Sequence, residues 1–83
     1  MAERRRQFCT VLAFRTQTAA EGFLRWAQKQ GYEGRLIPVP GGLQSGCGLA
    51  YALPAGSPDC PQILEAFHGL EEAGRWGNYE LYY

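Results

Sequence analysis

The sequence predicts an α+β fold, and three observations carry that prediction. Two stretches place apolar residues at helical spacing, and four short stretches are rich in strand formers or alternate with period two. The third is their order, β-α-β-β-α-β. Right-handed crossovers over short connections lead from that order to a ferredoxin-like sandwich: an antiparallel four-stranded sheet with two helices on one face.

Phe8 to Phe14 is short and rich in β-formers, and is read as strand one. Thr16 or Thr18 can cap the first helix, and Thr18-Ala19-Ala20-Glu21 fits a capping box. Ala20, Phe23, Leu24 and Ala27 give that helix one apolar stripe over residues 17–30, and Gly31 supplies its stop. Arg35, Ile37 and Val39 alternate with Gly34, Leu36 and Pro38 in strand two. Pro38 cannot donate a ladder hydrogen bond, which puts this strand at a sheet edge. After the polar, glycine-rich loop Pro40 to Gly46, the residues Cys47, Leu49, Tyr51 and Leu53 alternate with Gly48, Ala50 and Ala52 as strand three. Its bulky set is expected to face the helices. Pro54 to Ser57 breaks the pattern. Ser57 or Asp59 caps a second helix with Pro58 or Pro61 in its first turn; Ile63, Leu64, Phe67, Leu70 and Ala73 form its stripe and Gly74 ends it. Asn78 to Tyr83 is strand four.

The 83 residues suit one domain, read as 1–83 with residues 1–6 a disordered basic tail. An apolar content of 46% favours a packed core over disorder. Eight basic and eight acidic side chains cancel, so no whole-domain attraction to nucleic acid or anionic membrane is indicated. Strand three lacks the base-stacking aromatic pattern of an RNA-recognition motif. Arg5-Arg6-Gln7-Phe8 looks like a fragment of a twin-arginine signal, but Arg15 interrupts the apolar stretch that follows, and a basic tail is the plainer reading. No run approaches the ~18–20 apolar residues of a membrane span. Three widely spaced cysteines, at 9, 47 and 60, point to free thiols in a reducing cytoplasm.

Cys47 is the residue that points most clearly at chemistry. It enters strand three from the glycine-rich loop, between Gly46 and Gly48. Neighbours without Cβ leave a sulfur sterically open and free the backbone, and loop amides can converge on an anion. A stabilised, reachable thiolate is what a nucleophile or a sulfur carrier needs. The plainer reading is a small buried residue at a strand start. Cys60 is the rival, in the first turn of helix two, where the helix dipole favours a thiolate and Asp59 opposes it. Cys9 reads as core. His68 shares a helical surface with Glu65, Glu71 and Glu72 and reads as solvated rather than as a partner for Cys47. Trp76, Tyr79, Tyr82 and Tyr83 crowd the C-terminal strand, where some rings pack on helix two and the rest can form a self-association patch.

The stretch Arg35-Leu36-Ile37-Pro38-Val39-Pro40, followed by Ser45-Gly46-Cys47-Gly48-Leu49-Ala50, resembles the putative selenium/sulfur carrier protein-like family of small bacterial domains. The resemblance begins at the Phe14-Arg15-Thr16 turn and covers nearly the whole chain. It implies a carrier whose motif cysteine, here Cys47, holds sulfur or selenium as a persulfide or perselenide. Family members typically carry a basic residue after the second proline and serines before the cysteine. This chain has Gly41 at the first position and Gln44 and Gly46 among the others, keeping Ser45.

The leading expectation is therefore a non-enzymatic carrier or accessory protein without a cofactor or metal. Its thiol is Cys47, and its binding loop comprises Pro40, Gly41, Gly42, Ser45, Gly46 and Gly48. It would be loaded by a cysteine desulfurase or another donor. The alternative is a regulatory or scaffold module that binds a partner or itself, as a homodimer, through its sheet face or edges. A third reading is anion binding by the loop without covalent chemistry.

Overall fold

The computed structural model describes residues 6–43 and 48–83. Four strands and two helices follow one another as β1 (Arg6–Phe14), α1 (Gln17–Gln30), β2 (Arg35–Pro38), β3 (Leu49–Pro54), α2 (Cys60–His68) and β4 (Ala73–Tyr82), with one 3-10 turn at Gly41–Leu43. The strands form an open sheet in the order β2-β3-β1-β4, and every neighbouring pair is antiparallel. The fold is α+β.

Helix α1 matches its expected span, but Thr16 is the cap: its hydroxyl accepts from Ala19 N at 3.1 Å. Gly31 closes the helix in the left-handed region at φ 77°, and the amides of Gly31 and Tyr32 return to the carbonyls of Gln28 and Ala27. Ala20, Phe23 and Ala27 are buried, as the stripe requires. Both helices pack against Leu12, Phe14, Tyr51 and Leu53 on one face of the sheet. Phe14 meets Phe67 edge to face at 5.4 Å, and Phe23 meets Tyr51 at 5.2 Å. Tyr51 donates its hydroxyl to the Glu33 carbonyl at 2.6 Å. Gly34 sits there at φ 144°, and a Cβ on it would collide with the Tyr51 ring, so both the backbone angle and the space call for glycine.

Several boundaries differ from the expectation. Strand β1 begins at Arg6, which pairs with Tyr82 and so belongs to the sheet rather than to a tail. Residues 1–5 lie outside the described residues. Strand β3 begins at Leu49, two residues after its expected start at Cys47. Its bulky set does face the helices. Helix α2 stops at His68, capped by Gly69, rather than running to Gly74. Leu70 and Ala73 therefore leave the helical stripe, and Leu70 is exposed. The chain instead enters β4 at Ala73, because Phe14 and Leu12 of β1 take Ala73 and Trp76 as partners. Sheet pairing outcompetes continued helix at this point. The same change takes Glu71 and Glu72 off the helical surface of His68.

Candidate functional site

The candidate loop is the connection between β2 and β3. The two strands pair from Arg35↔Ala52 to Pro38↔Leu49, and the Val39 amide donates to the Gly48 carbonyl at 3.1 Å beyond the last pair. Pro38 stands on the edge strand, as its missing donor requires. Pro40 then begins the 3-10 turn, closed by the Leu43 amide donating to the Pro40 carbonyl at 2.9 Å. Leu43 is 3% exposed. Its side chain joins Cys9, Val11, Ala13, Ala50 and Ala52 on the face of the sheet away from the helices. Those strand positions are small, so the sheet presents a shallow floor there, and Leu43 fills it. Ile37, Val39, Tyr79, Leu81 and Tyr83 pack around it.

Of the expected binding residues, Pro40 is half-buried, while Gly41 and Gly48 are exposed. Gly42 lies in the 3-10 turn. A Cβ on Gly41 or Gly48 would meet nothing within 4 Å among the described residues, where the positive-φ glycines are Gly31 and Gly34. Gln44, Ser45, Gly46 and Cys47 lie outside the described residues.

The other two thiols are accounted for by packing. Cys9 is fully buried in the centre of β1, with its sulfur 3.7 Å from the Gln7 carbonyl. Burial pushes its pKa up, against the pull of the Arg35 guanidinium. Cys60 begins α2, but its thiol is turned into the protein against the Pro54 and Ala55 carbonyls at 3.5 and 3.6 Å and the Thr10 hydroxyl at 3.6 Å. Asp59 holds the N-cap position of α2 but makes no side-chain cap bond. Its carboxylate accepts from the Glu33 amide at 2.9 Å, tying α2 to the turn after α1. His68 is exposed, and its ring meets Trp76 at 6.2 Å.

Two features went unread in the sequence. Leu43 was legible in principle, as the one aliphatic side chain in the loop from Pro40 to Gly48. Arg35 was not: its alternation marks a strand, but nothing local says that it reaches the C-terminal strand. Its Nη2 donates to the Tyr83 carbonyl at 2.9 Å, and its guanidinium lies over the Tyr83 ring at 5.0 Å. Its Nε is buried without a hydrogen-bond partner among the described residues.

Comparison with protein-family models matches residues 9–70 of the 83 to the family described as "Putative Se/S carrier protein-like". The chain belongs to this family. The matched span takes in all of α1, the β2–β3 connection with Cys47, and α2; β4 lies beyond it. No curated protein and no solved structure matches the chain. Among the described residues, no helix is long and apolar enough to cross a membrane.

Proposed function

We propose that this chain is a sulfur or selenium carrier that holds a persulfide or perselenide on Cys47, acting in the cytoplasm as an accessory protein rather than as an enzyme. The observation that carries the reading is the fate of the three thiols. Cys9 and Cys60 are committed to the core, and Cys47, which lies outside the described residues, falls within the span matched by the carrier family. The loop residues Pro40, Gly41, Gly42, Ser45, Gly46 and Gly48 surround it in sequence and are the candidate cradle for the bound atom's charge. A ferredoxin-like reading of the fold rests on the chain order and on the central placement of β1 and β3.

The chemistry is thiol–persulfide exchange. The Cys47 thiolate attacks the outer sulfur of a donor persulfide, a sulfur–sulfur bond forms on Cys47, the donor's own sulfur–sulfur bond breaks, and the donor leaves as a thiolate. No external oxidant or reductant is consumed. A cysteine desulfurase carrying its persulfide is the class of donor that fits this step.

The test is cysteine-resolved alkylation of the native protein, followed by loading from a persulfide donor. Cys47 is expected to label quickly in the folded chain, with Cys9 and Cys60 labelling only after unfolding, and Cys47→Ser is expected to abolish loading. Full sulfur acceptance by Cys47→Ser would sink the assignment.

A further inference from the structure

The two edges of the sheet are protected very differently. Strand β2 is four residues long and ends in Pro38, while β4 runs for ten residues and, among the described residues, has no strand on its outer side. An edge this long is normally blunted by proline, lysine or a bulge. From Trp76 to Tyr82, β4 has no proline or lysine, and its register against β1 is unbroken; the one irregularity lies beyond Trp76, towards Ala73. This stretch also carries two of the exposed large apolar side chains, Trp76 at 41% and Tyr82 at 62%. Both stand on the same face of the strand, and each is three residues from Tyr79.

We propose that a second copy of this chain pairs antiparallel with the β4 edge about a two-fold axis at Tyr79, continuing the sheet through both molecules. The spacing argues for self-pairing over a foreign strand. An antiparallel pair built from identical strands side by side keeps both sets of helices on one side, so only registers centred on a residue are available. Centred on Tyr79, Trp76 lies opposite the partner's Tyr82, and by symmetry this happens twice. Asn78 then lies opposite the partner's Glu80, and no like charges meet. Centring on Asn78 sets Tyr82 against Gly74 and Trp76 against Glu80. Centring on Glu80 brings two carboxylates face to face, which is destabilising. Glu80 already has a counter-charge within its own chain: Arg6 bonds to it at 3.3 Å and lies over the Tyr82 ring at 5.2 Å. The Tyr79 register therefore pairs the exposed rings without bringing an unmatched charge into the interface.

The experiment is sedimentation of the full chain from micromolar to millimolar concentration. A monomer–dimer equilibrium is expected. Trp76→Glu and Tyr82→Lys, each alone, should raise the dissociation constant roughly tenfold or more, since each variant disturbs both symmetric ring pairs. Mixing the two variants should restore association, because the Tyr79 register sets the introduced glutamate opposite the introduced lysine. Should a charged variant fail to fold, Trp76→Gln and Tyr82→Ser replace the pair, each with the same weakening expected. A monomer at every concentration, an unchanged constant in both single variants, or a mixture of the charged pair that stays dissociated overturns the proposal. Cys47→Ser should leave the dimer intact, which keeps this result separate from the carrier reading.

Discussion

The two faces of the sheet are built on opposite principles. The helix-covered face is made of large side chains, with Leu12, Phe14, Tyr51 and Leu53 from the strands meeting Phe23, Ile63 and Phe67 from the helices. The other face is floored by Cys9, Val11, Ala13, Ala50 and Ala52, and the β2–β3 connection closes over it through Leu43. One strand supplies both patterns: β3 alternates Leu49, Tyr51 and Leu53 with Ala50 and Ala52. Large residues bury much apolar area and hold the fold together. Small residues leave room for a connection to lie flat against the sheet. The candidate loop thus rests on the thinner side of the molecule, anchored by a single aliphatic side chain among the described residues.

Breaking the thick face should cost the most. Phe67→Ala removes a fully buried ring that touches Phe14 and Phe23, and an expected loss of about 4 kcal/mol follows from the transfer and cavity terms. For a domain of this size that is a large part of the whole stability. Urea unfolding measures it, and a loss below about 1 kcal/mol would contradict the packing described. On the thin face, Leu43→Ala is expected to cost about 2 kcal/mol, the low end for such a change, because a surface turn over small residues can partly collapse. Its sharper signature is local. Leu43 packs in the cluster that holds Cys9, so native-state alkylation of Cys9 should rise more than the global loss accounts for. Equal slowness of Cys9 labelling in both proteins, once corrected for stability, would mean that Leu43 does not guard that face.

The thick face was readable because periodicity reports it directly. The α1 stripe, the Gly31 stop and the bulky set of β3 all followed from spacing. Prolonging α2 to Gly74 failed because Leu70 and Ala73 keep helical spacing, while the competing partner, Phe14, lies far away in sequence. Local pattern cannot weigh a ladder formed with β1. The cap of α1 was ambiguous for a related reason. Thr16 and Thr18 are chemically alike, and only backbone geometry selects Thr16, whose extended φ and ψ let its hydroxyl reach Ala19 N. The thin face was hardly legible, since alanines and one leucine carry no periodic signal of what will cover them. Cys47 was singled out from its glycine neighbours, and its position lies outside the described residues.

The smallest effect separates the faces by titration. Burial pushes the Cys9 thiol up on the thin face, and on the thick face burial pushes the Tyr51 phenol well above its ordinary range. Tyr83, beside the thin face, is raised for the same reason. In the unfolded chain the thiol ionises near ~8.5 and the phenols near ~10. Above those values the unfolded chain has released protons that the native chain still holds, so stability falls as the pH rises. The contribution is fully present below pH ~8 and is lost first through Cys9, then above pH ~10 through the tyrosines. Between pH 8 and 9.5 the loss runs through Cys9, because burial keeps its thiol protonated in the native chain where the unfolded chain has begun to ionise. Urea unfolding under reducing conditions at pH 7, 8, 9.5 and 10.5 reads the curve. Cys9→Ala should flatten the step between pH 8 and 9.5 and leave the fall above pH 10 in place. An unchanged first step in Cys9→Ala would assign that loss to another group and remove the thin face from the alkaline response.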